Sequence, residues 1–160
     1  MSRVGIGYDS HRLVAGRPLI IGGVEIEFER GLSGHSDADV LAHAVTDAVL
    51  GAAGAGDIGT HFPPSDERWK DADSIELLRT IVASLDGRVV NVDATVICER
   101  PAIGPHRAAI EERLGSAVGA PVSVKATTNE GLGAIGREEG IAAIAVASYE
   151  PVDAPANNLS

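Results

Sequence analysis

Three side chains in the first third of the chain have the types and spacing of metal ligands. Asp9 and His11 stand two residues apart, a spacing at which side chains of an extended strand project to the same side. One carboxylate oxygen and one imidazole nitrogen could therefore reach the same ion. His43 would add a second nitrogen, and three protein ligands with an open fourth position are typical of catalytic zinc. The alternative is that Asp9 is a turn residue and His11 a surface histidine.

The segment that contains His43 has the pattern of an amphipathic helix. It extends from Ser36, the predicted N-cap, to about Gly54. Asp39, His43 and Asp47 are spaced by four and are predicted to share the face opposite the core, so His43 would point to solvent, a cleft or a partner. The predicted core stripe consists of Val40, Leu41, Ala44, Val45, Ala48 and Val49.

The start of this helix has two interpretations. The N–H groups of a helix N-terminus favour an anion, so His35 and Ser36 beside it could hold a phosphate or a sugar hydroxyl. Ordinary capping by Ser36, with solvated acids behind it, is the simpler alternative.

A second polar segment, Lys125 to Gly131, follows an apolar strand. Its threonine hydroxyls could donate to phosphate oxygens, and Glu130 could bind a hard cation such as Mg²⁺. An ordinary turn with a helix cap is the alternative. The glycines at 131, 133 and 136 match a dinucleotide fingerprint formally, but polar residues separate them from the strand and Arg137-Glu138-Glu139-Gly140 follows instead of an apolar helix.

Composition limits the classes of protein and partner. The chain has 160 residues, 44% apolar and 22% charged, and a single cysteine, Cys98, which fits a reducing compartment. No secretory signal is recognisable, and the longest apolar run, Ile141 to Ser148, is too short to cross a bilayer. We therefore expect a cytoplasmic protein without a membrane partner. Residues 1–150 are predicted to form one catalytic domain, and residues 151–160 a flexible tail.

The formal net charge of −10 argues against nucleic acid as a partner, because the few cations are scattered. The same charge would repel a phosphorylated ligand. Binding phosphate would therefore require a local positive charge, and a bound metal could supply it.

The elements that must position these residues alternate between strand and helix. The pattern predicts an α+β fold, a two-layer sandwich with a mixed, mainly four-stranded sheet and helices on one face. A hairpin is predicted around Gly22-Gly23. The segment between Asp57 and Asp73 is predicted to be a loop. The other predicted strands are Val4–Gly7, Val89–Cys98, Val122–Ala126 and Ile141–Tyr149, and the other predicted helices are Ser74–Leu85 and Pro105–Leu114.

Taken together, the motifs resemble the 2-C-methyl-D-erythritol 2,4-cyclodiphosphate synthase family of the non-mevalonate isoprenoid pathway. They run in order from residue 5 to about residue 145 and so cover nearly the whole chain. The matching stretches are Gly7-Tyr8-Asp9-Ser10-His11, Ile20-Ile21-Gly22-Gly23-Val24, His35 to His43, Thr46-Asp47-Ala48, Gly56-Asp57-Ile58-Gly59, Phe62-Pro63, Asn91-Val92-Asp93, Lys125-Ala126-Thr127-Thr128, Gly136-Arg137 and Glu139-Gly140.

The resemblance implies an assembly and a reaction. It implies a homotrimer whose sheets pack around a threefold axis, with active sites between neighbouring subunits. It implies zinc on Asp9, His11 and His43, and a second ion, Mg²⁺ or Mn²⁺, on Glu130 and the substrate diphosphate. The implied substrate is 4-diphosphocytidyl-2-C-methyl-D-erythritol 2-phosphate, whose 2-phosphate attacks the β-phosphorus to give the cyclic diphosphate and CMP.

The resemblance also implies roles for substrate-binding residues. His35 and Ser36 would line the phosphate and erythritol site, while Asp57, Ile58 and Gly59 would hold the erythritol part. His35, Asp57 and Thr128 are the implied catalytic residues. Asp47 is a candidate for supporting the metal site. The remaining implied contacts are Thr127, Asn129, Glu130 and Arg137 on the diphosphate side and Pro101, Ala102, Ile103, Gly104, Pro105 and His106 in the cytosine pocket.

The chain departs from the family pattern at several positions. Ala102 stands where a lysine is common, and Pro64 where many members have an acid. Ala134 and Ile144 replace an aromatic and an acidic residue near the threefold axis, which weakens the expectation of an isoprenoid-diphosphate cavity there, although Arg137 is retained. Two other functions stay open: a metal-dependent phosphohydrolase, for which the sequence offers no convincing extra base, and a non-catalytic zinc-binding or ligand-sensing trimer, which only the departures near the axis support.

Overall fold

The strands form one five-stranded mixed sheet and a separate hairpin in the computed structural model, which describes residues 1–152. The sheet order is β4-β1-β7-β5-β6; all its pairs are antiparallel except β5 with β6, which are parallel. The hairpin joins β2 to β3 through Gly22 and Gly23, both at positive φ. The strands are β1 (Arg3–Ala15), β2 (Leu19–Ile21), β3 (Val24–Ile26), β4 (Arg30–Leu32), β5 (Gly87–Ile97), β6 (Val122–Thr127) and β7 (Gly140–Pro151).

The helices cover one face of the sheet, as the sequence predicts. Buried residues of β1, β5, β6 and β7 alternate with exposed ones along most of each strand and join the helices in one apolar core. Short 3₁₀ turns occupy Glu67–Trp69 and Gly104–His106. The helices are α1 (Val40–Ala53), α2 (Ile58–His61), α3 (Ser74–Ser84), α4 (Arg107–Val118) and α5 (Gly133–Gly136).

Helix α1 lies directly on β1 because the strand presents glycines to it. A Cβ atom at Gly7 would lie 1.9 Å from the carbonyl oxygen of Ala44, and one at Gly5 would lie 2.2 Å from that of Ala48. Such distances leave no room for a side chain. The close approach brings the polar second half of β1 beside the first turns of α1.

Two features of the prediction are wrong. The sheet has five strands rather than four, because the three-residue β4 is too short to give a recognisable pattern and pairs only with Leu13 to Ala15 at the end of β1. The loop predicted between Asp57 and Asp73 contains α2 and a 3₁₀ turn. The hairpin and the other predicted strands and helices are confirmed, with shifted ends, whereas α5 was not predicted.

The start of α1 is also corrected. Asp39, not Ser36, is the N-cap and accepts a hydrogen bond from the Ala42 backbone N–H at 3.0 Å. Its carboxylate is fully buried and also accepts from the N–H groups of Gly22 at 2.8 Å and Gly23 at 2.6 Å. Asp39 therefore joins the hairpin to the helix instead of lying on the face of His43. Burial raises its pKa to about 6, against the lowering effect of these N–H groups.

The C-terminal tail is only partly described. Pro151, the first residue of the predicted tail, still belongs to β7, and the N–H of Val152 donates to the Asp86 carbonyl at 3.1 Å. Residues 153–160 of the predicted tail lie outside the described residues. Within residues 1–152, none of the helices combines the length and the apolar character needed to cross a bilayer.

Candidate metal centre and active site

Strand β1 and helix α1 bring the three predicted metal ligands together. The Oδ2 atom of Asp9 lies 2.8 Å from Nε2 of His11 and 3.0 Å from Nδ1 of His43. The two histidine nitrogens are 3.2 Å apart. Among the residues that the structure describes, no other three His, Cys, Asp or Glu side chains converge in this way. The predicted convergence is confirmed.

Hydrogen bonds on the far side of each imidazole hold one ring nitrogen at the point of convergence. Nδ1 of His11 donates to the Ser33 carbonyl oxygen at 2.8 Å, so Nε2 of the neutral ring is an acceptor. Nε2 of His43 faces two hydroxyl oxygens, of Ser36 at 3.0 Å and Ser74 at 2.9 Å. Two imidazole nitrogens and a carboxylate oxygen therefore meet at one point, and without the protons that the imidazoles share with Asp9 they are a donor set that suits a divalent cation such as zinc.

Asp9 and His43 shift each other's pKa values. Burial alone would raise the pKa of Asp9, but hydrogen bonds and positive charge from His11 and His43 lower it to about 2. Burial would lower the pKa of His43, and the hydrogen bond and negative charge of Asp9 outweigh that effect and raise it. Asp9 thus stays ionised near neutral pH.

A cavity of about 270 Å³ opens beside the three ligands. Its polar wall contains His35 and Ser36 together with His11 and His43, so the metal centre forms one side of it. The rest of the wall is largely apolar, and the ring centroids of Phe62 and Trp69 pack edge to face at 4.8 Å. The other lining residues are Ile58, Gly59, Pro64 and Leu77.

Short helix α2 forms the side of the cavity that carries the predicted erythritol contacts. Asp57 caps α2, accepting from the backbone N–H and the hydroxyl of Thr60, both at 2.8 Å and both on Oδ1. These hydrogen bonds lower the pKa of Asp57. Asp47 accepts from the Ile58 N–H at 2.8 Å. Asp47 therefore joins α1 to α2 and supports the cavity wall, and its charge also interacts with those of Asp9 and His43.

The second predicted group of site residues lies in the loop after β6. Glu130 has a positive φ of 51°, and its carboxylate accepts from the Thr128 hydroxyl at 3.3 Å. Oε1 of Glu99, just after β5, accepts from the N–H of Asn129 at 2.8 Å and of Gly131 at 3.3 Å. Glu99 thus fixes the backbone on both sides of Glu130. The sequence interpretation missed this residue, since a single acid after a strand carries no recognisable signal.

The structure does not bring this second group to the metal ligands. In the sheet order, β7 and β5 stand between β1 and β6, so three strand spacings, about 14 Å, separate the ends of β1 and β6. Residues 101–106 follow β5 and belong to the second group. There the Ile103 side chain is buried, so this residue can offer a ligand its backbone but little side chain. Nε of Arg137 donates to Glu139 at 2.7 Å.

Comparisons with known proteins cover almost the whole chain. Residues 2–150 match the model of the YgbB family. The 2-C-methyl-D-erythritol 2,4-cyclodiphosphate synthase of Symbiobacterium thermophilum is 61% identical over 150 residues, 90% of this chain and 96% of that one. The synthase of Bordetella avium is 60% identical over 150 residues, 90% of this chain and 93% of that one.

Solved structures share the fold as well. The bifunctional IspDF of Campylobacter jejuni matches with a TM-score of 0.90 and 38% identity over 96% of this chain, which spans 43% of that longer protein. A structure of 2C-methyl-D-erythritol-2,4-cyclodiphosphate synthase in its CDP-bound form matches with a TM-score of 0.83 and 36% identity, covering 92% of this chain and 100% of that one. The architecture described above is thus that of these solved proteins.

Proposed function

The chain belongs to the YgbB family of 2-C-methyl-D-erythritol 2,4-cyclodiphosphate synthases and is an enzyme of the lyase type. On that premise we propose that it converts 4-diphosphocytidyl-2-C-methyl-D-erythritol 2-phosphate to 2-C-methyl-D-erythritol 2,4-cyclodiphosphate and CMP, in isoprenoid precursor biosynthesis. A 2-phosphate oxygen bonds to the β-phosphorus of the same molecule. The bond from the β-phosphorus to the oxygen bridging the two phosphorus atoms breaks, and this oxygen leaves with CMP.

For this reaction the protein must position the substrate and compensate its charge, and it does not need to supply a nucleophile. Nucleophile and electrophile share one molecule, so folding the substrate into a reactive conformation provides much of the rate enhancement. Two anionic phosphates must also approach each other, which needs preorganised positive charge and hydrogen-bond donors. A chain of net charge −10 has no excess of cations for this purpose.

The convergence of Asp9, His11 and His43 at the mouth of the cavity is the observation that carries the proposal. We propose that these residues hold zinc. When bound, such an ion neutralises charge on phosphate oxygens as a Lewis acid. The protein's own contribution is to present one carboxylate oxygen and two neutral imidazole nitrogens in a fixed arrangement, with their far sides tied by hydrogen bonds.

Cavity residues would bind the erythritol phosphate half of the substrate. His35, whose Nε2 lies 3.2 Å from the Asp66 carbonyl oxygen, and Ser36 line the cavity beside the metal ligands and can contact a phosphate or a hydroxyl. Ile58 and Gly59 also line the cavity. Asp57 at the start of α2 would accept hydrogen bonds from erythritol hydroxyls. His35 and Asp57 are therefore proposed as catalytic residues through positioning of the reacting 2-phosphate.

The loop after β6 would bind the diphosphate, and the segment after β5 the cytosine. Thr127, Thr128 and Asn129 can donate to phosphate oxygens, with Thr128 as the proposed catalytic residue, and Glu130 would hold Mg²⁺ or Mn²⁺ together with the diphosphate. Arg137 adds a cation. The proposed cytosine pocket consists of Pro101, Ala102, Ile103, Gly104, Pro105 and His106.

Each active site is proposed to form between two subunits of a homotrimer. Two observations support this. Strand β6, which leads into the loop with Glu130, lies three strand spacings, about 14 Å, from β1, which carries Asp9 and His11. The sheet face opposite α1 also exposes apolar side chains, which an interface between subunits would bury.

We also propose a cytoplasmic location. It is supported by Cys98, which is free and buried and whose pKa is raised to about 11 by burial.

The test is an assay of products with the purified protein, zinc and magnesium. We expect CMP release and, by phosphorus NMR, a cyclic diphosphate. His43→Ala should abolish both turnover and zinc retention without unfolding the protein, because His43 lies outside the core. His61→Ala, which changes an exposed histidine away from the cavity, is the matched control. Phosphate products without a ring would instead indicate a phosphohydrolase, and absence of CMP would refute the proposal.

A further inference from the structure

The far side of His43 leads into a buried chain of hydrogen bonds that ends on a carboxylate. Nε2 of His43 lies 2.9 Å from Oγ of Ser74, the first residue of α3. Ser74 is 1% exposed, so water does not compete for its hydroxyl. That hydroxyl donates to Oδ1 of Asp37, and Oδ2 of the same carboxylate accepts from the Ser74 backbone N–H at 3.0 Å. Asp37 thus holds Ser74 at two points.

The direction of these hydrogen bonds decides which nitrogen of His43 carries its proton. A serine hydroxyl has a single proton, and Ser74 gives it to Asp37. Ser74 can therefore only accept from His43, which favours a proton on Nε2 in competition with the Asp9 carboxylate at Nδ1; a cation that replaces the Nδ1 proton then meets a lone pair there. Nδ1 is the atom that lies 3.0 Å from Asp9 at the convergence point.

Ser36, the other hydroxyl near Nε2, cannot impose this choice. Its Oγ is 3.0 Å from Nε2 and accepts from the Ala38 N–H at 3.2 Å, but no carboxylate takes its proton among the described residues. A rotatable hydroxyl in that position can donate to Nε2 or accept from it. Only Ser74, held by Asp37, fixes the direction.

His43 is anchored differently from its partner ligand His11. The Ser33 backbone carbonyl holds His11, whereas side chains of another element hold His43. The segments joined here are also paired through the backbone: the Asp37 N–H donates to the Ala72 carbonyl at 3.1 Å, and the Asp71 N–H to the His35 carbonyl at 2.9 Å. The start of α3 and the polar segment before α1 therefore form one unit.

We propose that Ser74 and Asp37 are positioning residues for the metal centre, which fix the tautomer and the orientation of His43. The inference rests on the metal site of the proposed function. Groups that hold a metal-ligating histidine from behind typically contribute 10–100-fold to metal affinity. Ser74→Ala should therefore weaken zinc binding by roughly that factor, although Ser74 does not reach the cavity wall.

Two measurements test the proposal, and one of them needs no metal. Long-range ¹H–¹⁵N spectra of the metal-free protein at alkaline pH report the tautomer of His43 directly. Because Asp9 accepts at Nδ1 and Ser74 at Nε2, we expect a larger Nε2–H population in the unaltered protein and in Ser36→Ala than in Ser74→Ala. Zinc affinity, measured by competition with a chelator, should fall in Ser74→Ala and Asp37→Asn and recover in Ser74→Thr. Ser84→Ala, at the other end of α3, is the control for helix stability.

An unchanged tautomer together with unchanged zinc affinity in Ser74→Ala would overturn the proposal. If Ser74→Ala does not fold, the His43 tautomer and the zinc affinity of Asp37→Asn test the proposal instead. A loss that Ser74→Thr and Ser84→Ala share with Ser74→Ala would show general damage to α3 and also overturn it. The outcome is separable from that of the proposed function, because the tautomer and the zinc affinity are measured without substrate. Failure of the protein to release CMP would change neither the measured tautomer nor the measured zinc affinity.

Discussion

At the scale of single residues, a proton and a divalent cation compete for the same three atoms. Asp9 stays ionised because the histidines lower its pKa to about 2, and the negative charge of Asp9 in turn raises the pKa of His43 above its ordinary value of 6.5. The metal-free centre thus draws stability from a protonated His43. That contribution is complete below pH 6.5 and is lost as the pH rises through the raised pKa.

The competition predicts how metal stabilisation depends on pH. As the pH rises past the raised pKa of His43, the metal-free protein loses stability while zinc meets less competition from protons. The increase in melting temperature on adding zinc should therefore grow from about pH 5.5 to about pH 8.5. Calorimetry with and without zinc measures it. The pH dependence of this increase in melting temperature should persist in His61→Gln and disappear in His43→Gln. An increase that does not depend on pH in the unaltered protein would contradict the prediction.

At the scale of elements, the site depends on how closely α1 lies on β1. Gly5 and Gly7 allow helix and strand backbones to touch, and this places Asp9 and His11 on the strand next to His43 on the helix. The buried carboxylate of Asp39 fixes the other end of the arrangement by joining the start of α1 to the hairpin. The spacing between the two elements is therefore a condition for metal binding.

Gly7→Ala is expected to separate the two elements. Its Cβ would lie 1.9 Å from a backbone oxygen of α1, an overlap that no side-chain rotation relieves. We expect a loss of about 3 kcal/mol in unfolding free energy or more, a fall of roughly 6–12 °C in melting temperature, and weaker zinc binding. Thermal unfolding and chelator competition measure these effects.

Gly51→Ala in the same helix is the matched control. Its Cβ would meet its nearest neighbours at 3.8 Å and 3.9 Å, ordinary contact distances. Because alanine is the better helix former, this change should stabilise the protein by about 0.5–1 kcal/mol. Equal effects of the two substitutions would show that the contact of α1 with β1 does not position the site.

At the scale of the whole molecule, the sheet is covered on one face only. On the other face, β1 exposes Val4 and Ile6 at 70% each and Tyr8 at 60%. Ile6 is paired with Val146 of β7, and Tyr8 with Ile144, so these side chains form one apolar stripe across two strands. Soluble monomers rarely expose such a patch. The stripe is the surface on which we propose that three copies of the chain pack.

Mixing two inactive variants tests whether sites form between subunits. His43→Ala removes a metal ligand and Glu130→Gln removes the proposed ligand of the second ion, and each alone should be inactive. Suppose that every site takes its metal ligands from one subunit and Glu130 from the neighbouring subunit. In random mixed trimers each of these two groups is intact with a probability of about one half, so about a quarter of full activity should be recovered. Co-refolding followed by the CMP assay measures this.

The control is a mixture of His11→Ala with His43→Ala, which damages the same half of every site and should recover nothing. Recovery only in the first mixture would support shared sites. No recovery in either, with trimers formed in both, would contradict the proposed division of the site.

Most of the elements, and the three side chains that could hold a metal, can be predicted from the sequence. Periodicity gives most strands and helices because apolar residues recur at distances that local geometry dictates, and Asp9 and His11 point the same way for the same local reason. Contacts that depend on packing between distant segments become visible in the folded protein alone. Asp39 has the spacing of a surface residue and is buried, because the hairpin supplies N–H donors to it. Likewise, Ser74 and Glu99 act through partners about 30 residues or more away, and no local pattern encodes such contacts.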